Sequence, residues 1–270
     1  MLYYLILLVT GLLGGFLAGL IGIGGGIIYV LVLPYLLMEM GLSDSEVVQY
    51  TIANSIVGTM FAGLSGNITH IKRGEFYWKP VLIAGLVGAV FSILALKFVV
   101  NTDWYQKEVF NPLIIVIAVF IIYRTLNQVF FKKKLLEEKE PRKGFWSFLG
   151  FLGGGISSLS GLGGGIIIIP MLNNALNMSM RKAKSISLGI IFFTSLAITV
   201  NNLLHESVSI IDYPRQGLII IPMAVSLGIG VSIGSPIGVK ISSNFSNRLI
   251  SFIFVLFLIV VIIDKSKQLV

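Results

Sequence analysis

Apolar residues run on for about 15 to 25 positions at a time in this chain: 2–21, 23–38, 47–70, 79–100 and 110–131, then 145–161, 163–178, 185–204, 216–239 and 247–263. At 1.5 Å of rise per residue, helices of this length approach or cross a bilayer core of about 30 Å. Only 12% of the 270 residues are charged and 56% are hydrophobic, whereas a soluble domain carries about 25% charge. The solvent for such a fold is lipid. Apolar alternation of period two is missing, which argues against an outer-membrane barrel. The fold class is therefore an all-α polytopic integral membrane protein.

The runs fall into two sets of five that look alike. Leu13-Gly14-Gly15, Gly22-Ile23-Gly24-Gly25-Gly26-Ile27-Ile28 and Pro34 recur as Leu152-Gly153-Gly154, Gly161-Leu162-Gly163-Gly164-Gly165-Ile166-Ile167 and Pro170. The spacing between copies is 139 residues from Leu13 to Ile28, without a gap, and then slips by three because the first copy is longer before its proline. Duplication accounts for this better than chance glycine content. Residues 1–131 form a first membrane repeat, 132–143 a basic linker and 144–270 a second repeat.

Lysine and arginine counts orient the chain, because these residues are retained on the cytoplasmic side. If every run turns back at its loop, one side receives fifteen, from Lys72, Arg73 and Lys79 through the linker cations to Lys240 and Arg248. The other receives five: Lys97, Lys107, Arg215, Lys265 and Lys267. The linker then faces the cytoplasm of a cell (inner) membrane and both termini face out. No basic n-region precedes the first run, since the first cation is Lys72, so 2–21 reads as a retained membrane segment and not a cleaved signal. An odd number of crossings separates the two glycine motifs, which makes the repeats inverted. The runs that follow the motifs have 16 residues, about 24 Å of helix, and each holds a proline; they read as short or re-entrant helices.

The chemistry is expected at those motifs. A helix that starts after glycines presents unpaired amide N–H groups and the positive end of its dipole, which suits an anion. Half-helix starts facing each other across inverted repeats are a transporter arrangement. Gly22, Gly24, Gly25, Gly26, Gly161, Gly163, Gly164 and Gly165 are the substrate-binding candidates, and close helix packing by small residues is the competing account. Uncharged polar residues are scattered through the spans, among them Thr59, Ser65, Asn67, Thr194, Ser195 and Thr199. Asn54 and Ser55, adjacent within one span, are chosen from the first half as assisting groups, and Ser187 from the second.

No acid or base lies in the middle of an apolar run, so an aspartate relay for cations is absent. Lys97, Arg124, His70 and His205 fall near run ends. Cys is absent, which removes disulfides and thiolate chemistry. No His-Glu-x-x-His cluster or pair of intramembrane aspartates marks a protease, and the spacing of Ser158 or Ser160 to His205 recommends no serine enzyme. No enzyme activity, cofactor or metal is expected. The net charge of +8 is spread over loops, not one basic face, so nucleic acid is not a partner. A passive anion channel and a non-transporting scaffold remain as alternatives, and no oligomeric state is specified.

The duplicated Gly-x-Gly-Gly-Gly-hydrophobic-Pro pattern, split by a basic loop, resembles the sulfite exporter TauE/SafE family, also called the 4-toluene sulfonate uptake permeases. Gly161 to Pro170 follows the family pattern closely; the first copy departs through its longer Ile27 to Pro34 stretch. The resemblance implies a prokaryotic inner-membrane secondary transporter of sulfite, sulfonates, sulfoacetate or related small sulfur-containing anions.

Overall fold

The computed structural model describes residues 2–130, 137–206, 213–242 and 247–269. Phe131, which ends the fifth run, and linker residues 132–136, with Lys132, Lys133 and Lys134, lie outside the described residues. Ten α-helices account for almost all of the regular structure described: α1 (Leu2–Ile21), α2 (Gly26–Glu39), α3 (Asp44–Lys72), α4 (Trp78–Ala95), α5 (Lys107–Phe130), α6 (Phe145–Ser160), α7 (Gly165–Ala175), α8 (Met180–Leu203), α9 (Ile221–Ile241) and α10 (Asn247–Lys267). Each corresponds to one apolar run. A π-helical turn, Leu96–Val100, continues α4, and a small antiparallel hairpin, β1 (Arg215–Gln216) with β2 (Ile219–Ile220), precedes α9.

Six of these segments are long and apolar enough to cross a membrane: Leu2–Ile21, Asp44–Lys72, Trp78–Val100, Lys107–Asn127, Met180–Leu203 and Ile221–Ile241. The helices after the glycine motifs are shorter, 14 residues in α2 and 11 in α7. Two helix starts carry polar groups suited to a helix N-terminus. Ser43 precedes α3 and donates to the Glu46 carboxylate at 2.5 Å, and Asp44 and Glu46 meet the positive end of the helix dipole. Ser179 caps α8 by accepting from the Lys182 amide.

Helices α3 and α8 pack against each other in the interior, and most of their residues are buried. The outer helices turn rows of large apolar residues outward, such as Leu86, Val90 and Leu94 of α4 and Ile229 and Ile233 of α9. In lipid such faces are ordinary; the distinguishing feature is how little side chain separates the helices within. Gly11, Gly15 and Gly19 of α1 face the backbone of Leu227, Val231 and Ser235 of α9, and Gly230, Gly234 and Gly238 of α9 face the backbone around Leu8, Leu12 and Phe16 of α1. A Cβ on Gly19 would stand 2.1 Å from the Ser235 carbonyl oxygen, and one on Gly238 2.1 Å from that of Phe16. Two glycine ridges of period four thus interlock.

The same contact recurs with the halves exchanged. Gly150 and Gly154 of α6 meet Ala84 and Gly88 of α4, so the first helix of each half packs on the fourth helix of the other.

Candidate functional site

The two glycine motifs converge. A Cβ on Gly26 would stand 2.3 Å from the Gly161 carbonyl oxygen, and one on Gly165 would stand 2.6 Å from that of Gly22. Gly24 and Gly163 hold φ of +93° and +76°, a region that L side chains rarely enter. Both face the Thr59 methyl, which lies 2.9 Å from a Cβ on the first and 2.7 Å from one on the second. Gly25 and Gly164 back onto their own preceding helices, where a Cβ would stand 2.2 Å and 2.1 Å from the carbonyl oxygens of Gly14 and Gly153. The loops are therefore clamped between α1 and α6 behind and α3 in front.

Depth follows from the helices alongside. Thr59 is the sixteenth of the 29 residues of α3, and Ile191, which packs on Gly163 and Gly165, is the twelfth of the 24 residues of α8. Thr59 is about 20 Å from either end of its helix. The glycine loops meet at half the length of two membrane-length helices, well away from the helix ends.

Two serines hold them there. Ser55 donates to the Gly161 carbonyl at 2.7 Å, and Ser187 donates to the Gly22 carbonyl at 2.8 Å. Each serine thus fastens the first glycine of the other half's motif. Both hydroxyl hydrogens are engaged, so these side chains set the loops' position and leave the donor capacity of the centre to the backbone. That capacity is open. The amides of Gly24, Gly25, Gly26 and Ile27, and those of Gly163, Gly164, Gly165 and Ile166, find no acceptor among the described residues, although all eight residues are buried. Buried N–H groups are ordinarily paired. The hydroxyls of Thr59 and Tyr29, buried at the same centre, also lack a partner among the described residues.

Asn54 sits next to Ser55 but turns elsewhere. Its amide donates to the carbonyls of Tyr50 at 2.8 Å and Leu218 at 3.0 Å, and its oxygen accepts from the Ile220 amide at 3.0 Å. Both donors are engaged, and the side chain pins the β1–β2 hairpin onto α3. Ser158 and Ser160 bond to carbonyls of their own helix and not to His205. Among the described residues no three His, Asp or Glu side chains gather as a metal site would require.

One residue was invisible to the hydropathy pattern. Lys184 falls one residue before the apolar run 185–204, yet α8 starts at Met180 and Lys184 is only 8% exposed. The Ser179 cap was the sequence signal that could have moved the helix start outward.

Comparison with known proteins agrees with this architecture. The family model for the sulfite exporter TauE/SafE matches residues 7–264. A probable membrane transporter protein of Methanocaldococcus jannaschii is 27% identical over 247 residues, covering 90% of this chain and 88% of the relative. One from Haemophilus influenzae is 26% identical over 267 residues, 97% of both chains, and one from Bacillus subtilis is 25% identical over 284 residues, covering 96% and 95%. No solved structure matches significantly. With membrane-length helices packed through glycine ridges, duplicated glycine loops at their centre and a family match over almost its whole length, this chain belongs to the TauE/SafE family of multi-pass membrane transporters.

Proposed function

We propose that this protein is a secondary transporter of small sulfur oxyanions or organosulfur anions, of the sulfite, sulfonate or sulfoacetate class. The observation that carries the reading is the set of buried, unpaired amides of Gly24 to Ile27 and Gly163 to Ile166 at the convergence of two helix starts. Such groups bind an anion without a formal cation, because the helix dipole and the N–H groups point at the same spot. Gly22 and Gly161, fastened by Ser187 and Ser55, shape the two loops; Thr59 and Tyr29 add hydroxyl donors. Asn54 contributes by holding the hairpin against α3. The family's name supports a sulfur oxyanion.

The two halves, 1–131 and 144–270, are inverted relative to each other and joined by the basic linker 132–143 on the cytoplasmic side, with both termini outside. Alternating access is movement of one half against the other about the glycine centre. The reciprocal bonds from Ser55 and Ser187 cross between the halves and so lie where such a movement acts. Counterflow tests the reading. Proteoliposomes loaded with unlabelled sulfite should transiently accumulate labelled sulfite, with thiosulfate, sulfoacetate, taurine and an aryl sulfonate as graded competitors. Unitary currents without counterflow would assign a channel, and no response to any sulfur anion would remove the substrate class.

A further inference from the structure

The two glycine loops are alike in sequence but not in what flanks them. Gly161 is flanked by Ile52 of α3 and Val30 of α2; a Cβ on it would stand 3.3 Å from the Ile52 Cα and 3.4 Å from the Val30 Cγ2. At the matching place in the other half, Gly22 is flanked by Lys184 of α8 and Ile169 of α7, with the Lys184 Cγ 3.0 Å and Cα 3.1 Å from the corresponding point. Ile52 lies three residues before Ser55 and Lys184 three before Ser187, the two serines that fasten the loops. A lysine thus stands where the reciprocal arrangement puts an isoleucine.

Among the described residues this cation has no counterion. Among the described residues no carboxylate lies within ion-pair distance of Lys184, and it makes no hydrogen bond. Glu75 faces the same end of α8, but its carboxylate is engaged by Arg181 at 3.2 Å and by His70 Nδ1 at 3.6 Å, and its carbonyl accepts from Ser185. His70 is 4% exposed and its Nδ1 faces the Glu75 carboxylate at 3.6 Å. An ionised side chain within a membrane helix is expensive and marks a pathway or pairs with something. Here an unpartnered lysine, more than nine-tenths buried, packs its stem against Gly22.

We propose that Lys184 forms an anion subsite on the Gly22 side of the glycine centre, supplying the formal positive charge that the backbone amides lack. The inference rests on the reading of the centre as an anion site and makes it asymmetric: the anion is bound from the Gly22 and Lys184 side, whereas the Gly161 side contributes only dipoles. A doubly charged oxyanion, or one with its charge held on a compact sulfonate or sulfinate group, fits a point charge beside amide donors.

The test compares wild-type protein with K184Q, K184R and K72Q. Lys72 is an exposed cation at the end of α3, so K72Q removes the same charge without touching the subsite. Melting of the purified full-length chain is read with sulfite, thiosulfate, sulfate, oxalate and phosphate, and labelled sulfite counterflow is read in proteoliposomes. Expected is stabilisation of wild type, K184R and K72Q by a sulfur oxyanion, its loss in K184Q, and a half-saturation concentration in K184Q raised about tenfold or more. K184Q itself should melt no lower than wild type without anion, because an uncompensated buried charge has gone. Stabilisation of K184Q by sulfite equal to wild type would overturn the subsite while leaving the transporter reading intact. Stabilisation by oxalate or phosphate alone, lost in K184Q, would keep the subsite and overturn the sulfur substrate. No response of wild type to any of the five anions would overturn both.

Discussion

The hydroxyl of Ser55 donates to the carbonyl of Gly161 at 2.7 Å, across 106 residues of sequence, and the hydroxyl of Ser187 returns the same bond to Gly22. A buried carbonyl at a glycine turn needs a donor, and these serines supply it from the opposite half. Ser55→Ala and Ser187→Ala should each cost about 1 kcal/mol and lower the melting temperature by about 2–4 °C. The double variant should lose the sum, because each bond is separate; melting of the four proteins in detergent checks this.

Thr59 touches both Gly24 and Gly163, and its hydroxyl is buried without a partner among the described residues. Thr59→Val keeps the methyl that fills the space between the loops and removes the hydroxyl. The variant should melt at or above the wild-type temperature, since an unpaired buried hydroxyl costs about 1–3 kcal/mol. Its half-saturation concentration for sulfite counterflow should rise about three- to tenfold. An unchanged value would remove Thr59 from the site.

Valine at Gly25 or Gly164 tests packing, not binding. A Cβ at these positions meets the carbonyl oxygens of Gly14 and Gly153 at 2.2 Å and 2.1 Å, and backbone cannot step aside as a flexible side chain can. Both variants should give much less folded protein by size-exclusion chromatography. Gly155→Val is the control: nothing lies within 4 Å of its Cβ position, and its yield should match wild type.

Asn54 holds the hairpin by two buried hydrogen bonds, to Leu218 and Ile220, and makes a third to Tyr50 of its own helix. Asn54→Leu strands the Leu218 carbonyl and the Ile220 amide and should cost about 2–4 kcal/mol. Hydrogen exchange should rise around 215–220 while α2 and α7, behind the glycine loops, keep their protection. Loss of protection in α2 and α7 with the hairpin intact would contradict this placement.

Much of the architecture was legible in the sequence because the determining signals are local. A run of apolar residues longer than a dozen has to be a helix in lipid, so the ten runs correspond to the ten helices described, and glycines followed at once by Ile-Ile predict where α2 and α7 begin. The motif from Leu13 to Ile28 recurs at a constant spacing of 139 residues, and the three extra residues before Pro34 appear as the longer α2.

Tertiary structure decided which polar residues belong to the centre. Nothing near Asn54 in sequence announces that its amide binds residues 164 and 166 positions away, and Ser55, one residue along, faces a different element because successive helical side chains point about 100° apart. Interlocked ridges at Gly11, Gly15 and Gly19 and at Gly230, Gly234 and Gly238 separate packing glycines from loop glycines, a distinction that composition does not contain. Lys184 falls between the apolar runs 163–178 and 185–204, whereas the α8 start at Met180 buries it beside Gly22. Local pattern specifies where helices form and which solvent they face; hydrogen-bond partners and buried charges depend on which helix faces are brought together, and that is set only when the halves pack.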